Sequence, residues 1–189
     1  MSAVAAPFGF RPSYNPIGLD RAKRYTIAGG YGTALFKGMP VILNTNGTIT
    51  AGTAAADLLG IFIGCTYVDA NGKPNVQNNW PAAQAIFPGT VPEAWVCDDP
   101  NDVFEVQASG PIPQTAIGDQ SDVLNVNGGS AATGLSTSSL NATLAGAAAQ
   151  GQFRIVGISP NVDNVPGDAF TIVQVQIARH QYIANKVAI

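Results

Sequence analysis

The chain carries one histidine, His180, and two cysteines, Cys65 and Cys97. A Ser/His/Asp or Cys/His nucleophilic system would have to pass its proton through His180. That residue follows Arg179 at the end of the last expected strand, with Gln181 and Tyr182 behind it, a setting that suits a surface or interface histidine. Two distant cysteines and one histidine form no zinc-binding spacing. Asp98, Asp99, Asn101 and Asp102 place oxygen ligands of the kind calcium takes within one short run. The run lacks the EF-hand pattern, and Pro100 with its Asx neighbours explains it as a turn. Ala28-Gly-Gly-Tyr-Gly-Thr33 is glycine-rich, yet it lacks the Lys-Ser/Thr ending of a phosphate loop and no helix follows, so it is read as a strand connector. No carboxylates pair in an apolar setting that would split their proton affinities. The residues therefore predict no enzyme: no catalytic group, no cofactor and no metal.

The elements that would position any site are strands. Glu93 to Gln107 reads as the organising stretch: Ala94 to Cys97 and Val103 to Gln107 are rich in β-branched and aromatic residues, and Asp98-Asp99-Pro100-Asn101-Asp102 between them is a turn, which predicts a hairpin. Further strands are expected at Arg24 to Ala28, Met39 to Leu43, Thr48 to Thr50, Leu58 to Tyr67, Asp122 to Val126, Gln152 to Ile158 and Ala169 to Ala178. Gly60 and Gly64 mark a bend or bulge in the longest of these. The one helical candidate is alanine-rich Ser139 to Gln150, whose Thr, Ser and Asn content fits a loop as well. Many short strands with turn signals predict an all-β barrel or sandwich. Ile42-Leu-Asn-Thr-Asn-Gly47 echoes Val123-Leu-Asn-Val-Asn-Gly128, and Leu59-Gly60-Ile61 echoes Val156-Gly157-Ile158, so a pseudo-two-fold pair of half-units framing the hairpin is expected.

Residues 1–23 are expected to form an extended N-terminal arm ahead of a single β-rich domain, 24–189. Pro7, Pro12 and Pro16 with Gly9 and Gly18 block helix and central strand there. Phe8, Phe10, Arg11 and Tyr14 are its candidate anchors, either on another surface or folded back on the chain's own domain, and Trp80 is the candidate anchor of the Pro74 to Pro88 loop.

Nine Lys and Arg and twelve Asp and Glu make only 11% of the 189 residues charged, against a usual share of about 25%. A surface so poor in charge does little to keep copies apart and suits a protein covered by partners. Net charge is −3, which gives no electrostatic case for nucleic acid. Four basic residues, Arg11, Arg21, Lys23 and Arg24, fall in the first 24 positions, while Pro74 to Phe153 holds seven acids and no base. Such complementarity favours docking of one copy on another. The cysteines, in apolar strand settings, read as buried free thiols of a reducing compartment. The first residues show neither the charged region nor the apolar run of a secretory signal, and no stretch approaches the length of a membrane span. Synthesis in the cytoplasm follows as an expectation.

Pro7-Phe-Gly-Phe-Arg-Pro12, Tyr25-Thr-Ile-Ala28, Gly38-Met-Pro-Val-Ile-Leu43 and Gly60-Ile-Phe-Ile-Gly64 resemble segments of tailed-bacteriophage capsid decoration (cement) proteins. Trp80-Pro81, Asp98-Asp-Pro-Asn101 with Val103-Phe-Glu-Val106, and Phe153-Arg-Ile-Val-Gly157 look like the same family; residues 129–150 depart from it. The resemblance implies a β-rich homotrimer on the outside of an icosahedral head, partnered by the major capsid protein, reinforcing the shell without catalysis. A receptor- or glycan-binding module of a tail or fibre, stacking Tyr14 and Trp80 on sugar, is the alternative.

Overall fold

Short β-branched and aromatic runs between Gly- and Asn-rich turns build strands along the whole chain. The computed structural model describes residues 2–18, 21–146 and 148–183. The remaining positions of the expected arm (1, 19, 20) and of the expected domain (147, 184–189) lie outside the described residues. In chain order the strands are β1 (Arg11–Tyr14), β2 (Ala22–Ile27), β3 (Leu35–Phe36), β4 (Met39–Leu43), β5 (Thr48–Ala51), β6 (Gly60–Val68), β7 (Pro74–Gln77), β8 (Asn79–Trp80) and β9 (Glu93–Cys97). They continue as β10 (Val103–Gln107), β11 (Gln120–Ser121), β12 (Val123–Leu124), β13 (Gly129–Ser130), β14 (Leu135–Ser136), β15 (Ser139–Leu140), β16 (Phe153–Ile158) and β17 (Ile172–Ile177).

Five strands close into a barrel. β4 pairs antiparallel with β5 and β6, β6 with β9 and β9 with β2. A parallel pairing of β2 with β5, Thr26 to Thr48 and Ile27 to Ile49, completes the ring. Alternation sends Ile27, Met39, Val41, Ile49, Phe62, Ala94 and Val96 inward, where they form one core. The β3–β8 ribbon adds Leu35, Phe36 and Trp80 to it.

The second half repeats this wiring. β10 pairs antiparallel with β17, β17 with β16, β16 with β11, and β12 with β15. A parallel bridge between Ala108, just past β10, and Leu140 of β15 closes the circuit. With β11 and β12 taken as one interrupted strand, β10, β11–β12, β15, β16 and β17 follow one another as β2, β4, β5, β6 and β9 do, with the same partners and senses. Even the bulges agree: β6 slips between Phe62 and Gly64 against β9, and β16 slips between Ile155 and Gly157 against β17. Phe104, Val106, Phe153, Ile155, Val173 and Val175 form the second core. Ile61 and Cys97, paired across β6 and β9 and turned out of the first barrel, join it and seal the two halves together.

The all-β barrel expectation thus holds, with three corrections of detail. Ala94–Cys97 and Val103–Gln107 do not form a hairpin with each other. The Asp98–Asp102 turn forms, with Asp102 N donating to Asp99 O at 3.0 Å, but β9 is taken up by β2 and β6, and β10 by β1 and β17. The boundary between the half-units therefore falls inside the expected hairpin. The glycine echo is shifted as well: the bulges align Ile63-Gly64, not Leu59-Gly60, with Val156-Gly157. Gly60 serves a close approach instead, since a Cβ there would lie 2.2 Å from the Cys97 carbonyl oxygen. Finally, Ser139–Gln150 is not a helix; it holds β15, and its described residues beyond Leu140 are irregular.

Phe10 links the N-terminal segment to the second core. It is 1% exposed and stacks on Phe153 with ring centroids 4.2 Å apart. Phe10→Ala should cost about 3–5 kcal/mol, read as a lower urea midpoint in equilibrium unfolding. A loss under about 1 kcal/mol would show that the ring is not part of the core.

Candidate interaction surface

The N-terminal segment lies on the chain's own body. β1 adds an edge strand to β10 through Arg11–Glu105 and Pro12–Phe104, and Pro12 suits an edge because it has no N–H to donate. Upstream, Ala6 N donates to Gln107 Oε1 at 2.8 Å and Gln107 Nε2 donates to Val4 O at 3.0 Å. At the far end Phe170 N donates to Ser2 O, and the Ser2 hydroxyl donates to Asp168. Downstream Asn15, buried, donates to Asp102 Oδ1 at 2.6 Å and caps the turn to Gly18. Of the two placements open for the arm, the described residues adopt the folded-back one.

The expected anchors separate accordingly. Phe10 and Trp80 are core residues, which corrects their reading as surface anchors. Trp80 is fully buried, its indole N–H donates to Tyr31 O at 3.2 Å, and its ring meets Tyr67 edge-on. Aromatic area this large finds more stabilisation inside the barrel than on a loop. Phe8, Arg11 and Tyr14 stay at the surface: Arg11 is exposed with its guanidinium 4.4 Å above the Phe8 ring, and Tyr14 is half exposed. Val4 and Ile17 extend this strip, at 66% and 69% exposed. Sequence reasoning passed over both, because neither belongs to an alternating pattern.

Beside the strip lies a groove of about 220 Å³ between Phe8, Arg11, Lys37, Ile63 and Leu135. Its floor is apolar and its rim carries two cations. Lys37, Ile63 and Leu135 come from three separate segments, and nothing in their local sequence announces that they meet.

The chemistry-bearing residues are engaged in holding the halves together. His180 is 1% exposed. Its Nδ1 accepts from Tyr182 N at 3.1 Å, and its Nε2 reaches the Asp98 main-chain oxygen at 3.1 Å, so Nε2 carries the proton. The Asp98 carboxylate, also buried, accepts from Tyr25 OH at 2.5 Å and Lys23 Nζ at 3.0 Å. That hydrogen bond raises the Lys23 proton affinity, and burial together with Asp98 raises that of Tyr25. Both ring nitrogens bind backbone. Asp99 is held below the usual carboxylate range chiefly by the Asn101 N–H. Among the described residues no group of three His, Cys, Asp or Glu is placed to hold a metal ion. Cys65 lies inside the first barrel, its thiol pushed up to about 12 by burial, while Cys97 faces the second core across the barrel wall; neither forms a disulfide.

No protein-family model, curated protein or solved structure matches the chain.

Burial holds His180 below its ordinary proton affinity. Below about pH 6.5 the unfolded chain therefore binds a proton that the folded chain resists. Stability should be fully present above that pH and fall on acidification towards the lowered folded value. Urea midpoints measured from pH 7.5 to 5 should decline, and His180→Gln should flatten that decline. An equal decline in the variant would show that other groups carry it.

Proposed function

We propose that the protein is a structural virion protein that binds the outer surface of a tailed-phage head and reinforces it through protein–protein interfaces, without catalysis. The observation that carries this reading is the surface strip from Val4 through Tyr14 to Ile17, backed by Phe10 and by β1 so that it is ordered before any partner arrives. Ordered apolar side chains lose little conformational freedom on binding, so more of their buried area appears as affinity. The motif resemblance and the low charge support the same reading. The partner is the major capsid protein, reached through the strip, and neighbouring copies make further contacts. Repetition over the many equivalent sites of a shell multiplies a modest single-site affinity.

Sugar stacking has less support, because Trp80, one of its two proposed platforms, is enclosed in the barrel core.

Co-sedimentation with DNA-free heads of the phage that encodes the chain tests the proposal. The full chain should pellet with heads. A Val4→Asp, Tyr14→Ala, Ile17→Asp triple variant should lose binding by at least roughly tenfold, as expected from removing a cluster of interface anchors, while its unfolding midpoint stays within the scatter of surface substitutions. Unchanged sedimentation of the variant would remove the strip from the interface; failure of the wild type to pellet would overturn the reading itself.

A further inference from the structure

We propose that the groove between Phe8, Arg11, Lys37 and Leu135 receives an acidic segment of the coat protein, in which an apolar side chain is flanked on both sides by Asp or Glu. The inference rests on the proposed function and deepens it, giving the partner's contacting segment a chemistry.

The two rim cations are uncommitted. Arg11 and Lys37 are exposed, and among the described residues neither makes an ion pair. The bases that do, Lys23, Arg24 and Arg179, hold Asp98, Glu93 and Asp57. Arg11 has an acid opposite it on β10, Glu105, yet the two do not pair. Glu105 Oε1 accepts from the Ser159 hydroxyl at 2.7 Å instead. The Arg11 guanidinium lies over Phe8, 4.4 Å from the ring centroid. Stacking holds the planar fork by its face and leaves its N–H edges free, which suits a carboxylate bound through two parallel bonds. In a chain with nine Lys and Arg, two unpaired cations beside one groove concentrate positive charge there, and their field favours an anionic partner.

Below the cations the groove is apolar. Phe10, Ile63 and Leu135 line it, Leu135 at 42% exposed, and its volume of about 220 Å³ holds one leucine-sized side chain. A bare anion would leave these walls wet, and an apolar side chain without acids would leave both cations unanswered. The two properties together select an apolar residue set between acids.

The site is preformed. Phe10 N donates to Gly38 O, Gly38 N to Phe62 O, and Ser136 N to Lys37 O, at 2.8 to 2.9 Å. Gly9 makes the close approach possible: its φ is +74°, and a Cβ there would sit 2.8 Å from both Gly38 O and Ser136 Cβ. A fixed groove has little to order on binding, so more of the contact appears as affinity. Position selects the coat protein as the source. Phe8 and Arg11 line the groove and also belong to the N-terminal segment that carries the strip from Val4 to Ile17, so a partner covering the strip reaches the groove as well.

The test places the photo-crosslinker p-benzoylphenylalanine at Leu135 of the full chain, binds it to DNA-free heads of the phage that encodes the chain, and identifies the linked peptide by mass spectrometry. The expected product is a coat-protein peptide with an apolar residue between acids. In parallel, Arg11→Glu with Lys37→Glu should weaken co-sedimentation roughly tenfold or more and flatten its loss with rising salt. Its urea midpoint should match the wild type, because both side chains are exposed. A linked coat peptide without acids, no link on bound heads, or a charge-reversed pair that pellets like the wild type overturns the inference while the strip reading stands. A link to a second copy of this chain overturns it in favour of self-association. A wild type that does not pellet overturns the proposed function and this inference together.

Discussion

The closing contact of each ring is the constraint on which the architecture depends. A five-stranded sheet left open presents two rows of unpaired N–H and C=O groups, and pairing its edges removes them. Here the closure is parallel while the remaining ring pairings are antiparallel: Thr26–Ile27 against Thr48–Ile49 in the first half, and the single Ala108–Leu140 bridge in the second. Because the closing strands share a direction, no tight turn can join them. The chain therefore lays down β4 between β2 and β5, and β11–β12 between β10 and β15. The bulge before Gly64 falls where β6 exchanges β4 for β7 along one edge, and the bulge before Gly157 takes the matching place in β16.

The first ring closes by a two-residue ladder and the second by one bridge, and the rings differ also in their second strand. β4 runs unbroken from Met39 to Leu43 and feeds β5 through the Asn44–Gly47 turn. Its counterpart breaks at Asp122 between β11 and β12. The Asp122 carboxylate there accepts Gln152 N at 3.0 Å, and its main-chain oxygen accepts Asn141 N at 2.9 Å. A side chain that bonds neighbouring backbone offers the chain an alternative to the ladder. Gln152 reinforces this join, donating from Nε2 to Thr53 O and Ala56 O of the first half. Polar groups thus fasten one barrel to the other where strand pairing stops.

Strand positions were legible because alternation is a local signal. Met39–Leu43 was read to the residue, and the β2, β6, β16 and β17 runs were found within a few positions of their ends. Partners were not legible. Val96 and Val106 look alike along the chain, and nothing local says that one belongs to a barrel with β2 and the other to a sheet with β1. The Asp98–Asp102 turn chemistry was sound, yet its ends are pulled apart by long-range bonds from Lys23, Tyr25, His180 and Asn15. Aromatic residues misled for a related reason. Phe10 and Trp80 sit in proline-bearing segments that read as surface, and only the folded rings show that each completes a core. The surface strip was half visible, through Phe8, Arg11 and Tyr14.

Duplicated wiring also says where the two halves are free to differ. Between the second and third ring strands the first half has only the Asn44–Gly47 turn, while the second inserts the β13–β14 ribbon that supplies Leu135. Between the fourth and fifth, the first half inserts β7, β8 and the Trp80 loop, and the second inserts the Val162 loop. Each ring also carries one added edge strand, β7 on β6 and β1 on β10. The strip and the groove arise mainly from these additions, while the ring strands mainly supply the cores. Loops tolerate change because they contribute little to the core, whereas ring strands are held by two neighbours and a filled interior. Two copies of one scaffold can therefore present unlike surfaces.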